Sequence, residues 1–431
     1  MYVSINQQGV IQAVSKDKAI RITGNQTFNI PSLVGETSLI GKKLVSTDNK
    51  LLSELKVAGI CNWGDQCGIA TYSEQLIPEL RKHVKEVKIF AETTGPEDES
   101  TRCWKRGQSC IEMAKQIIDY KPDVIFIQHE FGIFPKATHF LKLLEMFDGI
   151  PYVITLHSVY EHLDKTICTS YIRNIITHSQ NGKDCLLRMG HRNQVFVLPH
   201  GCNIYDNVNQ LWNIFQNERT IIQFGFGFEY KGLDQAIEAV SILKKRSEEF
   251  KDIFYCFLCS ESNHTRSIQT RYYNTIRDLV EQKGLQDNVV VLRGYLSEEH
   301  MQNFLRTAKL AVFPYKNDPN NTVYGASGAV RKAMSNGIPV IASDCHLFDD
   351  LDGVVPRPDS PEALADEIAK VFTSQEYRSE LLKKAKNFIT ENSWENVGRQ
   401  YAEILGNLVQ SADSDAIRVD AIRVDAMSLV Q

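Results

Sequence analysis

The sequence contains no apolar run approaching the ~20 residues that a membrane-spanning helix requires, so no spanning segment is expected. Its opening residues, MYVSINQQGV, lack the basic start and apolar stretch of a secretory signal. A cytoplasmic location is therefore expected, with peripheral membrane contact left open. There is no excess of basic charge either. A formal net charge of −5 argues against broad, charge-driven binding to nucleic acid, although a local basic groove would be hidden in that sum. The ten cysteines are scattered, and with no export signal they read as reduced thiols. The single Cys-x-x-Cys, Cys256 and Cys259, lies in the strand-like DIFYCFLCS. Residues three apart in a strand point to opposite faces, so this pair belongs to the core. No cluster has the spacing of metal ligands, and no Asp-x-Asp stands near a strand end, so a metal-independent site is expected.

What is present is an ordinary globular composition, 43% apolar and 23% charged, over 431 residues. That length calls for two domains. Residues 1–53 hold short β-type runs broken by Gly and Asn, which predict hairpins. From residue 55 the pattern alternates between strand and helix. LKVAGIC, VKIFA, DVIFIQH, YVITLH, NIITHS and QVFVLP are strands, with helical runs between most of them. The stretch IATYSEQLIPELRKH places Ile69, Tyr72, Leu76 and Leu80 on one helical face, and Pro78 should kink or shorten that helix.

YDNVNQLWNIFQNER, residues 205–219, reads as a connection. A second alternating series follows it, from TIIQFGF to IPVIAS. Apolar strands alternating with helices imply parallel sheets covered on both faces. The fold expected is α/β, two Rossmann-like domains in tandem. Ligands in such sheets bind beyond the carboxyl ends of the strands, so the crevice between two facing domains is the expected site. SWENVGRQYAEILGNLVQ has helical periodicity. The tail beyond it carries AIRVD twice, at 416–420 and 421–425, a five-residue period that suits neither helix nor strand for long. A flexible or loosely docked tail is expected.

Three glycine-containing turns sit where strands give way to helices: GDQCG at 64–68, GFGFEYKG at 225–232 and GASG at 325–328. A helix N-terminus offers unpaired N–H groups and partial positive charge, and glycine lets an anion approach the backbone. Three such turns, one with a lysine, point to a phosphate-bearing ligand. The third opens SGAVRKAMSNGIPVIASD, which sets Arg331 and Lys332 near a helix start. Cations there oppose the helix dipole by ~0.3–1 kcal/mol. A bound diphosphate would meet them with the opposite charge; the alternative is a solvated face. Val330 and Met334 should face the core, and Gly337 suits the helix stop.

These motifs, in this order and spacing, resemble the retaining glycosyltransferases of the GT-B fold, specifically family 4. GDQCGIATYS, QHEFGIF, ITLHS, LPHGCN, GFGFEYKGLDQAIEAV, VLRGYLSEEHMQNFLRTAKLAVFPY and SGAVRKAMSNGIPVIASD carry the resemblance, which spans residues 55–409. It implies two Rossmann-like domains facing a central cleft, with a small β-rich extension before them and a helix after. The boundaries expected are an extension at 1–53 and an acceptor-side domain at 54–205. A nucleotide-sugar domain follows at 206–392, then a crossing helix at 393–409 and a tail at 410–431.

The resemblance further implies that a nucleotide-diphospho-sugar is the donor, with no other cofactor. Lys231 would contact the diphosphate within the turn bearing Gly225 and Gly232. The amides of Ser327, Gly328 and Ala329 would cap the phosphates, Gly68 would let the other domain close on the donor, and His157 would lie near the donor sugar; His157 and Lys231 are the expected catalytic residues. Asp65, His129 and Glu130 would meet the acceptor or the sugar. Arg331 and Lys332 complete the expected donor-binding set.

Two departures stand out. Many relatives carry arginine where this chain has Phe226, and two glutamates where it has Tyr324 and Lys332. The expected reaction is retaining, metal-independent transfer of a sugar to a carbohydrate or other hydroxyl acceptor. A non-catalytic sugar-nucleotide-binding or partner protein and a sugar-nucleotide epimerase are the alternatives.

Overall fold

The computed structural model describes the backbone of residues 2–5, 11–13, 49–65, 67–162, 165–169, 171–205, 218–260, 266–294, 296, 298–318, 320 and 322–428. Two compact units divide the chain. The first combines Glu36–Gly201, Asn321–Ala326 and Asn392–Gln431; the second combines Met1–Gly35, Cys202–Asn320 and Ser327–Glu391.

The first unit holds a seven-stranded parallel sheet. In spatial order its strands are Gln194–Val197, Asn174–Thr177, Tyr152–Leu156, Val124–His129, Lys56–Ile60, Glu86–Glu92 and Thr101–Trp104. The strands are apolar on both sides, so each face needs a cover. Ala58, Ile60, Ile125 and Ile127 feed one hydrophobic cluster, while Val57, Val124 and Phe126 feed the other. That is the two-residue alternation of a strand buried twice. Helix Gly68–Leu80 buries Tyr72, Leu76 and Leu80, with Ile69 half-buried. Pro78 lies in its last turn, so the missing N–H marks an end and not a kink.

Helix Trp394–Ser428 adds Val397, Tyr401, Ile404 and Leu405 to the same cluster as Tyr72 and Leu76. Its backbone continues through both AIRVD copies, in the segment expected to be a flexible or loosely docked tail. Neither copy contains the Gly or Pro that would stop a helix.

The second sheet runs Val340–Ala342, Leu310–Phe313, Thr220–Phe226, Phe254–Ser260, Val289–Arg293, Tyr2–Ile5 and Ile11–Ala13. Every pair is parallel except the last. Tyr2–Ile5 and Ile11–Ala13 form an antiparallel pair that extends this sheet at its edge. The remaining hairpins expected before residue 49, and most of the 205–219 connection, lie outside the described residues. Cys256 and Cys259 enter clusters on opposite faces, as strand geometry requires, and none of the ten cysteines is in a disulfide.

A two-stranded antiparallel ladder completes the first unit. There Val323–Gly325 pairs with Ser158–Tyr160, so a short segment late in the chain adds a strand to the earlier unit.

In each sheet the strand order reverses once. The reversal lies between Lys56–Ile60 and Val124–His129 in the first, and between Thr220–Phe226 and Leu310–Phe313 in the second. Open parallel sheets bind ligands beyond the carboxyl ends of strands at such switch points.

Candidate functional site

At the switch point of the second sheet, strand Thr220–Phe226 runs into a single 3₁₀ turn, Glu229–Lys231, and then helix Leu233–Arg246. Gly232 joins turn to helix at φ 66°, and a Cβ there would run into the carbonyl oxygen of Pro314. Only glycine tolerates both conditions. The turn is fastened from beneath. Buried Gln223 donates through Nε2 to the Lys231 carbonyl at 2.7 Å and accepts from the Tyr255 hydroxyl at 2.7 Å. Lys231 is thereby aimed at the end of the neighbouring strand, where its Nζ donates to the Tyr315 hydroxyl at 2.7 Å.

Tyr315 is 3% exposed, and burial pushes its phenol up, so it stays protonated. Its hydroxyl is also hydrogen-bonded to the Ser327 side chain. Ser327 is the N-cap of helix Gly328–Ser335, and its side chain makes no capping bond. The opening amides, at Gly328 and Ala329, thus point away from the helix without a side-chain cap. Lys231, Tyr315, Ser327 and this helix N-terminus come together at one place. Gly225, at φ 131° and with nothing within 4 Å of a Cβ built there, is the penultimate residue of strand Thr220–Phe226.

The two cations of that helix behave differently from the expectation. Arg331 is 1% exposed. Its guanidinium pairs with Asp350 and donates through Nη1 to the Ser327 carbonyl at 3.1 Å. Helical periodicity turns position 331 inward along with Val330 and Met334. Arg331 is therefore neither on a solvated face nor aimed at a ligand; it holds the start of the helix. Burial raises the Asp350 carboxyl despite this guanidinium.

Lys332 falls in the last turn of the two-turn helix, where a cation suits the dipole. Its Nζ donates to Glu298 Oε2 at 2.6 Å, and Glu298 also accepts from the Tyr205 hydroxyl at 2.9 Å. Burial works to raise the Glu298 carboxyl, but Lys332 and these bonds leave it below its ordinary value. Phe226, Phe228 and Tyr230 line the same turn, with Phe228 and Tyr230 stacked at 6.0 Å and Tyr230 42% exposed.

In the first unit, adjacent strands end in histidines. His157 follows Tyr152–Leu156, His178 follows Asn174–Thr177, and His200 lies three residues beyond Gln194–Val197. His178 Nδ1 lies 3.0 Å from the Leu198 carbonyl, which can only accept, so Nδ1 donates. His157 Nε2 lies 2.8 Å from Gln128 Oε1, also an acceptor, so it donates too, and His157 Nδ1 stands 3.4 Å from His178 Nε2. Burial, then His178 and His129, hold the His157 imidazole well below its ordinary pKa, so it is neutral at pH 7. Both of its ring nitrogens already have protein partners.

His129 is 2% exposed and packs against Phe131, Phe134 and Phe140. This corrects its expected place on an open rim, because the aromatic rings enclose it. Glu130 is half-buried. Burial raises its carboxyl, which accepts from the Phe131 amide at 3.1 Å and from Ser158. Gly68 opens its helix with Cys67 as N-cap, and a Cβ at 68 would meet nothing within 4 Å. Neither packing nor φ demands glycine there. Asp65 lies in the same loop, with Oδ2 3.9 Å from Arg106 Nη2. Tyr324 belongs to this unit, its hydroxyl 3.4 Å from both Arg188 Nη2 and Glu161 Oε1.

Among the described residues no group of three or more His, Cys, Asp or Glu side chains is arranged to hold a metal ion. Nor is any helix among them long and apolar enough to cross a membrane. Sequence reasoning missed Tyr315, Gln223 and Arg106. Tyr315 had a usable signal, since it follows a strand that borders the switch point.

Two family models match the chain: Glycosyl transferases group 1 over residues 206–388 and Glycosyltransferase Family 4 over residues 67–205. No curated protein sequence matches significantly. Solved structures do. Anabaena Alr3699/HepE, in complex with UDP-glucose, is 15% identical with a TM-score of 0.61, the match covering 82% of this chain and all of that one. A UDP-forming α,α-trehalose-phosphate synthase from Burkholderia xenovorans is 10% identical with a TM-score of 0.63, covering 82% and 99%. At such identities the likeness is one of fold.

Proposed function

We propose, on the premise that the chain belongs to the GT-B glycosyltransferases of family-4-like type, that it moves a sugar from a nucleotide-diphospho-sugar to an acceptor hydroxyl, with retention and without a metal. One observation carries this reading: the ammonium of Lys231, the Tyr315 hydroxyl and the uncapped start of helix Gly328–Ser335 meet at the switch point of the second sheet. A diphosphate is the ligand that uses all three.

As the sugar C1–O bond lengthens, negative charge grows on the leaving diphosphate. Lys231 and the amides of Ser327, Gly328 and Ala329 stabilise it, with Gly225 and Gly232 shaping the turn. Arg331 acts by holding the Ser327 carbonyl, and Lys332 by tying the helix to Glu298. In the acceptor-side unit, Asp65, Glu130 and the open space at Gly68 serve the acceptor and the sugar. His157 and His129 stiffen the strand ends behind them. The leaving phosphate accepts the proton of the incoming hydroxyl, so no protein nucleophile is needed.

Because the Anabaena relative is described with UDP-glucose, a UDP-hexose is the first donor to try. A thermal-shift screen against UDP-, GDP- and ADP-glucose tests the reading. Stabilisation by one of them, lost in Lys231→Ala, supports it; indifference to all three removes it. Turnover unchanged by EDTA is expected.

Phe226, Tyr324 and Lys332, standing where relatives carry an arginine and two acids, favour a second reading: a protein that binds the donor without transferring it. Donor binding without release of nucleoside diphosphate, across a panel of hydroxyl acceptors, would select that reading. Conversion of the donor sugar with no acceptor present would select an epimerase.

A further inference from the structure

Beside the switch point of the first sheet lies a second polar centre, at and just beyond the ends of strands Lys56–Ile60, Glu86–Glu92 and Thr101–Trp104. Glu92, 4% exposed, ends its strand and accepts a dense set of hydrogen bonds. Arg106 Nε reaches its two oxygens at 3.2 and 3.1 Å and Nη2 reaches Oε2 at 3.0 Å. The Arg106 amide donates to it at 3.2 Å and Asn62 Nδ2 at 3.0 Å. The loop after Lys56–Ile60 is fastened too. Arg102 Nη1 donates to the Trp63 carbonyl at 3.0 Å, and the Gly64 amide donates to Glu74 Oε1 at 2.9 Å.

A buried carboxylate with this many donors is stable only as part of a complete set, and here the set fixes one guanidinium in place. Arg106 keeps 33% of its side chain exposed, and Asp65 opposite it keeps 37%. The 3.9 Å between Nη2 and Asp65 Oδ2 is too long for a direct hydrogen bond. It is the gap that one oxygen fills while sitting about 2.8 Å from each side. A hydroxyl suits it, because it accepts from a guanidinium and donates to a carboxylate at the same time. An anion does not, since Asp65, Glu74, Glu92 and Asp98 set four acidic side chains around this loop against the two guanidiniums of Arg102 and Arg106.

We propose that Asp65 and Arg106 form a hydroxyl-binding subsite, with Glu92 as the positioning residue, and that it selects a neutral, polyhydroxylated acceptor over a phosphorylated or carboxylated one. The proposal deepens the function given above and rests on it for the role of acceptor.

The test uses the full chain, by calorimetry, with methyl α-D-glucopyranoside, glucose 6-phosphate and glucuronate as probes and UDP-glucose in parallel. Wild type should prefer the neutral pyranoside, and the ¹⁵Nε–H resonance of Arg106 should move on its addition. Asp65→Asn should weaken pyranoside binding about ten- to hundredfold. The double variant Glu92→Gln/Arg106→Gln keeps the buried pair neutral and should do the same, and Glu92→Gln alone should blur the Arg106 resonance. UDP-glucose affinity should stay constant in Glu92→Gln and in the double variant. Tighter binding of either charged sugar, no binding of the pyranoside, or equal affinity in all variants (a gap that holds water only) overturns the proposal. Loss of UDP-glucose binding in wild type would count against the donor assignment and leave the subsite result standing.

Discussion

In the first unit the strands end in side chains that have already bonded one another: His157 to His178 and Gln128, Glu92 to Arg106 and Asn62, His129 among phenylalanines. In the second they end in glycine turns, an ammonium held by one tyrosine, and a helix start without a side-chain cap. The first arrangement spends its polar groups on rigidity and leaves small gaps, each shaped for one kind of atom. The second leaves backbone donors open, which suits a multiply charged ligand. Similar parallel sheets thus reach different chemistry through what their loops leave unpaired.

The sharpest way to break that contrast is at Arg331. Arg331→Met should cost about 3–5 kcal/mol of stability in denaturant titration, because Asp350 would remain buried without its partner. Pairing it with Asp350→Leu should recover most of the loss. If Arg331→Met instead keeps full stability and loses donor affinity, the inward role is wrong. Lys231→Ala should lower kcat by roughly 10²–10³ with little change in melting temperature, as steady-state kinetics would show. Gly232→Ala should destabilise by about 1–3 kcal/mol, through the left-handed backbone and the Pro314 carbonyl.

The closed network of the first unit has a pH signature. Burial holds His157 well below its ordinary pKa of 6.5, so the unfolded chain takes up a proton that the fold refuses. Stability is full above about pH 6.5 and falls below it, by up to ~1.4 kcal/mol per pH unit. Melting curves from pH 7 to 5 should flatten in His157→Gln. Smallest of all, Lys332→Ala should shift stability by less than about 1 kcal/mol, since its pair with Glu298 is partly exposed.

The alternation of strands and helices was legible because burial on two faces writes itself as apolar runs. Gly232 was legible because left-handed backbone writes itself as glycine. Arg331 was not, since an arginine near a helix start looks the same whether its counterion is a ligand or Asp350, 19 residues on. Arg106 lies 14 residues after Glu92, two beyond the strand Thr101–Trp104, and only the pairing of Glu92 with Trp104 across neighbouring strands makes them partners. Tyr324 hid in a strand three residues long. Tyr315 stood out only as the end of the apolar run LAVFPY, because its hydroxyl matters only once Lys231 and Ser327 reach it.

The small ladder between Val323–Gly325 and Ser158–Tyr160 bears on synthesis. The earlier unit also takes helix Trp394–Ser428 into its core, so a ribosome that has made only the first half of the chain has not yet supplied all of its parts. Maturation of that unit must wait until Trp394–Leu408 has been made, and no single cut of the gene divides the two units into separately complete pieces.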